Sequence, residues 1–259
     1  MSEQCKDTMS IHVRKITDAC RDKDCIEDLR VYLTRSSQAL LDTAANIRVR
    51  QAELLYTYID VEPVAFDRNH YCVDVTFFYR ILADATVGAA RPVALCGLAT
   101  FSKRAVLCGE DSRAHIFTSD TRLGEADGIT RQLFNRPTAV VEVLDPMVLA
   151  SKVREICDHK HDECGLQIPD CIRCVFDDEL VLTGDRRRLY VTLGQFSIIR
   201  LERDAQIVVP FLDYAIPTKD CSDTPGGNDE DPCEMFSQIP FPTQQFTPTG
   251  CDNTDCGCN

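Results

Sequence analysis

Between residues 71 and 81 the chain alternates apolar and polar side chains almost without a break. Tyr71, Val73, Val75, Phe77, Tyr79 and Ile81 share one face of an extended chain, and Cys72, Asp74, Thr76 and Arg80 share the other. Period-two alternation over a full strand means one buried face and one wetter face, which a helix cannot provide. Phe78 is the exception. Ahead of it, Glu53–Glu62 reads as a second strand ended by Pro63, and the short connection through Asp67–His70 predicts an antiparallel hairpin. Val93–Phe101, Asp28–Thr34 and Thr138–Leu144 add further strands. Leu189–Leu193 starts another, with a bulge at Gly194 resetting the alternation so that Phe196, Ile198 and Arg200 continue it. Glu202–Asp204 is expected to turn the chain, and Gln206–Ile216 to return as the second arm of a hairpin. Helical signals are few: Ser36-Ser37 capping Ala39–Ala45, and Asp145-Pro146 opening a short helix that ends near Cys157. The expected fold is mainly β, antiparallel and sandwich-like. It has one or two short helices, an irregular cysteine-rich C-terminal tail, and the option of two related β-units, since Glu62–Ala65 and Asp145–Val148 each precede a strand pair.

Three regions follow from composition: an N-terminal segment over 1–47, a β-rich core over 48–216 with a Cys/His loop at 157–174, and a tail over 217–259. The tail holds six of the 12 prolines, eight acids and one lysine, a composition that does not build a core. With 259 residues, 44% of them hydrophobic, the chain can bury a core without disulfides. The net charge of −13 disfavours nucleic acid and anionic membrane surfaces as partners. No apolar run approaches the about 18 residues of a membrane-spanning helix.

Against that background the fifteen cysteines stand out. Met1–Asp7 is polar and no apolar run follows, so synthesis without a signal peptide, in a reducing cytoplasm, is expected. Dense cysteine usage belongs to oxidising surroundings. The thiols therefore hold metal or are oxidised later. The densest group is Cys157, His159, His161, Cys164, Cys171 and Cys174. Zinc takes four nitrogen or sulfur ligands in a tetrahedron, and Cys171-x2-Cys174 offers two from one turn. The alternative is a free-thiol or disulfide-closed loop. Cys221, Cys233, Cys251, Cys256 and Cys258, in a tail with little else to fold it, are the candidates for cross-linking. Cys72 falls on the polar face of its strand. The odd count leaves at least one thiol for an intermolecular bond or for metal.

Catalytic signatures are missing. There is no phosphate-binding Gly-x-x-x-x-Gly-Lys, no dinucleotide Gly-x-Gly-x-x-Gly, no Gly-x-Ser-x-Gly elbow and no His-Glu-x-x-His. No acid pair is singled out by spacing, so no catalytic residue is assigned and enzyme activity is not expected. Asp177–Glu179 and Asp229–Asp231 read as solvated charge runs. Arg186-Arg187-Arg188 reads as a solvated turn or a self-assembly contact.

Asp24–Leu33, Val61–Val64 leading to Val73–Phe78, and Val191–Phe196 through Val209-Pro210 to Ile216-Pro217 resemble a family of cysteine-rich proteins from anaerobic spore-forming bacteria, over about residues 15–221. The resemblance carries no established activity and no functional residues. It implies a setting: coat or appendage proteins made without a signal inside the mother cell and cross-linked through cysteines after lysis. The expected function is a structural, self-assembling protein whose partner is itself. The alternative is a cytosolic metal-binding protein holding zinc or an iron–sulfur cluster.

Overall fold

The computed structural model describes residues 11–65, 67, 69–88, 91–110, 115–116, 133–134, 137–156, 166–208, 217–218 and 232–246. Among the described residues nine strands follow in chain order: β1 (Ile11–Leu33), β2 (Asn46–Pro63), β3 (His70–Thr86), β4 (Val93–Cys108), β5 (His115–Ile116), β6 (Leu133–Phe134), β7 (Thr138–Val143), β8 (Met147–Glu155) and β9 (Arg187–Ile207). Helices α1 (Arg35–Thr43), α2 (Asp170–Arg173) and α3 (Pro232–Ser237) are short, and Thr243–Phe246 forms a 3₁₀ turn. Seven strands make one antiparallel sheet in the order β2-β3-β4-β1-β9-β7, with β8 also on β9; β5 and β6 pair separately.

β1 joins the two halves of that sheet. From Ile11 to Val31 it pairs with β9, and at Tyr32 and Leu33 it passes to β4. The β2-β3-β4 meander thus faces the β1-β9-β7/β8 half across one core, as expected of a sandwich-like antiparallel fold. Opposite β1 the sheet nearly closes on itself. There the Leu54 amide of β2 donates to Asp145 Oδ1 in the β7–β8 connection, 3.1 Å away.

The alternation on β3 works as its sequence predicts. Tyr71, Val73, Val75, Phe77, Tyr79 and Ile81 are all buried in the shared core, continued by Ala83 and Ala85. Phe78 points outward and is buried as well, because Ile168, Ile172 and Phe176 cover the outer face over it and Leu98. α1 forms one turn earlier than its predicted start. Thr34 caps it, accepting from the Ser37 amide. The N-terminal segment supplies the strand that joins the halves, and α1 packs beside it.

Three local expectations are corrected. Asp145-Pro146 does not open a helix. β7 and β8 run in the same direction along one edge of β9, Thr138 opposite Glu202 and Glu155 opposite Arg187, so they are one long strand kinked at Leu144–Pro146. Proline cannot donate to a ladder, and at a kink in an edge strand that loss costs little. Glu202–Asp204 does not turn the chain. β9 continues to Ile207, still paired with β1. Nor does Gly194 form a bulge: it sits in register between Cys25 and Met147. The alternation of β9 runs through it, placing Phe196 and Ile198 outside and Gln195 and Ser197 inside. In the arginine run, Arg186 is exposed at a bend, and the other two side chains have partners within the chain. Arg187 Nη1 donates to the Leu41 and Ala44 carbonyls at the end of α1, at 2.6 and 2.9 Å, and Arg188 Nε pairs with Asp185.

Part of the tail is docked. α3 lies on the outer face of β1 and β9, where Phe236 is buried against Gly194 and Phe196. Phe241 meets Phe196 edge-on, with ring centroids 5.4 Å apart. Lys23 Nζ donates to the Ser237 and Ile239 carbonyls at 2.6 and 2.7 Å. A disulfide joins Cys233 to Cys25, with Cα atoms 5.4 Å apart.

Candidate functional site

The inner face of β1 runs Cys20, Asp22, Asp24, Ile26. Opposite these, the inner face of β9 runs Ile199, Ser197, Gln195, Leu193. Two apolar rungs therefore bracket two polar ones. Across the core, β4 adds Lys103 and Phe101, and β3 adds Phe77 and Tyr79. The polar side chains meet. Lys103 Nζ lies 2.6 Å from Asp24 Oδ2, 2.9 Å from Asp22 Oδ2 and 2.9 Å from Ser197 Oγ. An ammonium has three protons to donate, and all three find acceptors. The Phe77 ring lies beneath it, its centroid 5.8 Å from Nζ, and stacks in turn on Phe101.

The site is largely buried. Side-chain exposure is 10% for Lys103, 13% for Asp24 and 24% for Asp22, and Ser197, Gln195 and Tyr79 are fully buried. Tyr79 donates its hydroxyl proton to Gln195 Oε1 at 2.5 Å. That bond fixes the amide and leaves Gln195 Nε2 buried with no acceptor among the described residues. A buried donor without a partner costs about 1–3 kcal/mol and is uncommon. Burial pushes the Asp24 carboxyl up to about 6; the nearby Lys103 charge opposes this shift and that of Asp22 reinforces it. Burial also raises the Tyr79 phenol, and the charge of Asp24 adds to that. One amine, two carboxylates of unequal burial and an unpaired amide donor thus share one enclosed space.

The residues singled out by cysteine and histidine spacing lie elsewhere. Cys171 and Cys174 sit on and just after α2, on the outer face, exposed and free. Cys157, His159, His161 and Cys164 lie outside the described residues, as do Cys221, Cys251, Cys256 and Cys258. Among the described residues no three His, Cys, Asp or Glu side chains are grouped as a metal site. Cys233 is linked within its own chain to Cys25, so at this position the tail is attached to the sheet and not to another copy. Cys20 is disulfide-bonded too. Cys72, Cys96 and Cys108 are free and half-buried, and burial raises the Cys96 thiol.

Neither a family model, nor a curated protein, nor a solved structure matches the chain. Among the described residues no helix is long and apolar enough to cross a membrane.

Proposed function

We propose that the protein is structural and self-assembling, with its sheet made rigid first and its outward thiols joining copies afterwards. One observation carries this reading: the described cysteines are sorted by position. Those of β1 and α3 are consumed by disulfides that fasten the chain to itself, whereas Cys171 and Cys174 stand exposed and free on a short helical turn anchored by Ile172 in the outer cluster. Thiols presented on a rigid support react with a neighbouring copy without unfolding either one. The spore-coat or appendage setting implied by the resemblance supplies the later oxidation.

Oxidation of the purified chain followed by non-reducing electrophoresis tests the proposal. Covalent multimers are expected, reduced in the C171S/C174S variant. A wild-type chain that stays monomeric with both thiols free sinks it. Metal analysis of anaerobically prepared protein separates the zinc or iron–sulfur alternative: stoichiometric metal that disappears in C171S/C174S favours that reading instead.

A further inference from the structure

We propose that Lys103 and Asp24 condense to an intramolecular isopeptide bond, with Asp22 moving the protons, so that the two halves of the sheet become covalently joined through their core. The bond goes beyond the assembly reading and holds whether or not copies associate.

Four observations carry it. First, Lys103 Nζ and Asp24 Oδ2 are already in contact at 2.6 Å, held by strands on facing halves of the sheet. Fixing two reactants this way removes most of the entropic cost of joining them. Second, the pair is enclosed. The Cys20–Ile199 and Ile26–Leu193 rungs close it on either side, and Phe77 lies beneath. Amide formation from an amine and an acid is unfavourable in bulk water and is helped where water is scarce. Third, a second carboxylate, Asp22, touches the same nitrogen from a more exposed position, where it can exchange protons with solvent. Fourth, Gln195 stands directly opposite Asp24 on β9 with its amide donor unpaired. An oxygen gaining negative charge on Asp24 would give that donor an acceptor, as an oxyanion site does. Tyr79 holds Gln195 in this orientation and is a positioning residue.

The step balances without any added reagent. It begins with the Lys103 ammonium, the Asp22 carboxylate and the Asp24 carboxylic acid. Asp22 takes one proton from Lys103, which frees the nitrogen lone pair. The C–N bond forms at Asp24 Cγ, and the C–O bond to its hydroxyl breaks. The hydroxyl leaves as water with a second proton from nitrogen, relayed through Asp22. Amide, water and protonated Asp22 remain. The acid form of Asp24 is accessible near neutrality because burial has already raised its carboxyl.

Intact mass of the full chain, fully reduced and denatured after purification in the folded state, decides the matter. The expected mass is one water below that of the sequence, and digestion yields a branched peptide linking the Asp24 and Lys103 fragments. K103R and D24A are expected at full mass. D22A keeps both reacting groups and is also expected at full mass, which a purely structural role for Asp22 does not explain. Far-UV circular dichroism establishes that each chain is folded. A folded wild-type chain at full mass overturns the proposal, because Lys103 and Asp24 are then an ordinary ion pair. A water deficit that persists in K103R overturns it as well.

Discussion

Asp24 sets the pH dependence of the interior. Its carboxyl, pushed up to about 6, carries a proton below that value and loses it above. The acid form supplies the leaving hydroxyl, so condensation slows as pH rises through about 6; time-resolved intact mass during refolding on either side of that value reads it, and a rate that climbs through this range contradicts the assignment. Tyr79 supports the same site from behind. Y79F removes the donor that Tyr79 places on Gln195 Oε1, leaving a fully buried amide with no partner among the described residues at either end. The expected cost is about 1–3 kcal/mol in urea unfolding. These residues also explain what was legible in the sequence. β3 was readable because each inner position from Tyr71 to Ile81 is apolar. On β1, Asp22 and Asp24 replace apolar side chains between Cys20 and Ile26, and the strand reads as a polar segment. On β9, Gln195 and Ser197 do the same between Leu193 and Ile199, which made Gly194 look like a bulge. One polar cluster hid the first part of β1 and reversed the apparent inner face of β9 after Gly194, because hydrophobic periodicity fails where a core holds polar groups.

Elements depart from local signals where pairing overrides them. Asp-Pro is a sound helix start in isolation, yet here Met147–Glu155 pairs with β9 and extended geometry wins. The charges at Glu202–Asp204 suggest a turn, but Glu202 accepts from Arg200 Nε and Arg203 donates to the Glu110 carbonyl, so they are accommodated within a strand. The docked tail was illegible by composition, since a few aromatics and one cysteine fasten it. Gly194 is the contact that permits this: a Cβ there would lie 2.8 Å from the Phe236 ring, on a side chain wedged against Phe196. G194A is therefore expected to lift α3 from the sheet. Limited proteolysis should cut within residues 232–246 faster than in wild type, while the sheet survives. In C25S/C233S the same segment loses its covalent tie, and stability should fall by about 2–4 kcal/mol, the usual worth of a disulfide that closes a long loop.

At the scale of the whole molecule, the sheet is held at one side by β1 and at the other by a seam. The Leu54–Asp145 hydrogen bond lies at that seam. D145A should raise hydrogen exchange at Leu54 and its β2 neighbours without touching the β3–β4 ladder; unchanged protection at Leu54 would show that the seam is closed by other contacts. The Cys25–Cys233 link has a mechanical meaning. Tension applied ahead of β1 and beyond α3 enters at Ile11 and leaves through Cys233, which is bonded to Cys25. The covalent load path then runs through Ile11–Cys25 and Cys233–Ser237, and the chain between Cys25 and Cys233 is bypassed. Ile11–Cys25 is strand throughout, already stretched to nearly its full contour length. A pull along the chain therefore meets a taut strand with almost no slack to release before the bypassed segment between Cys25 and Cys233 is loaded.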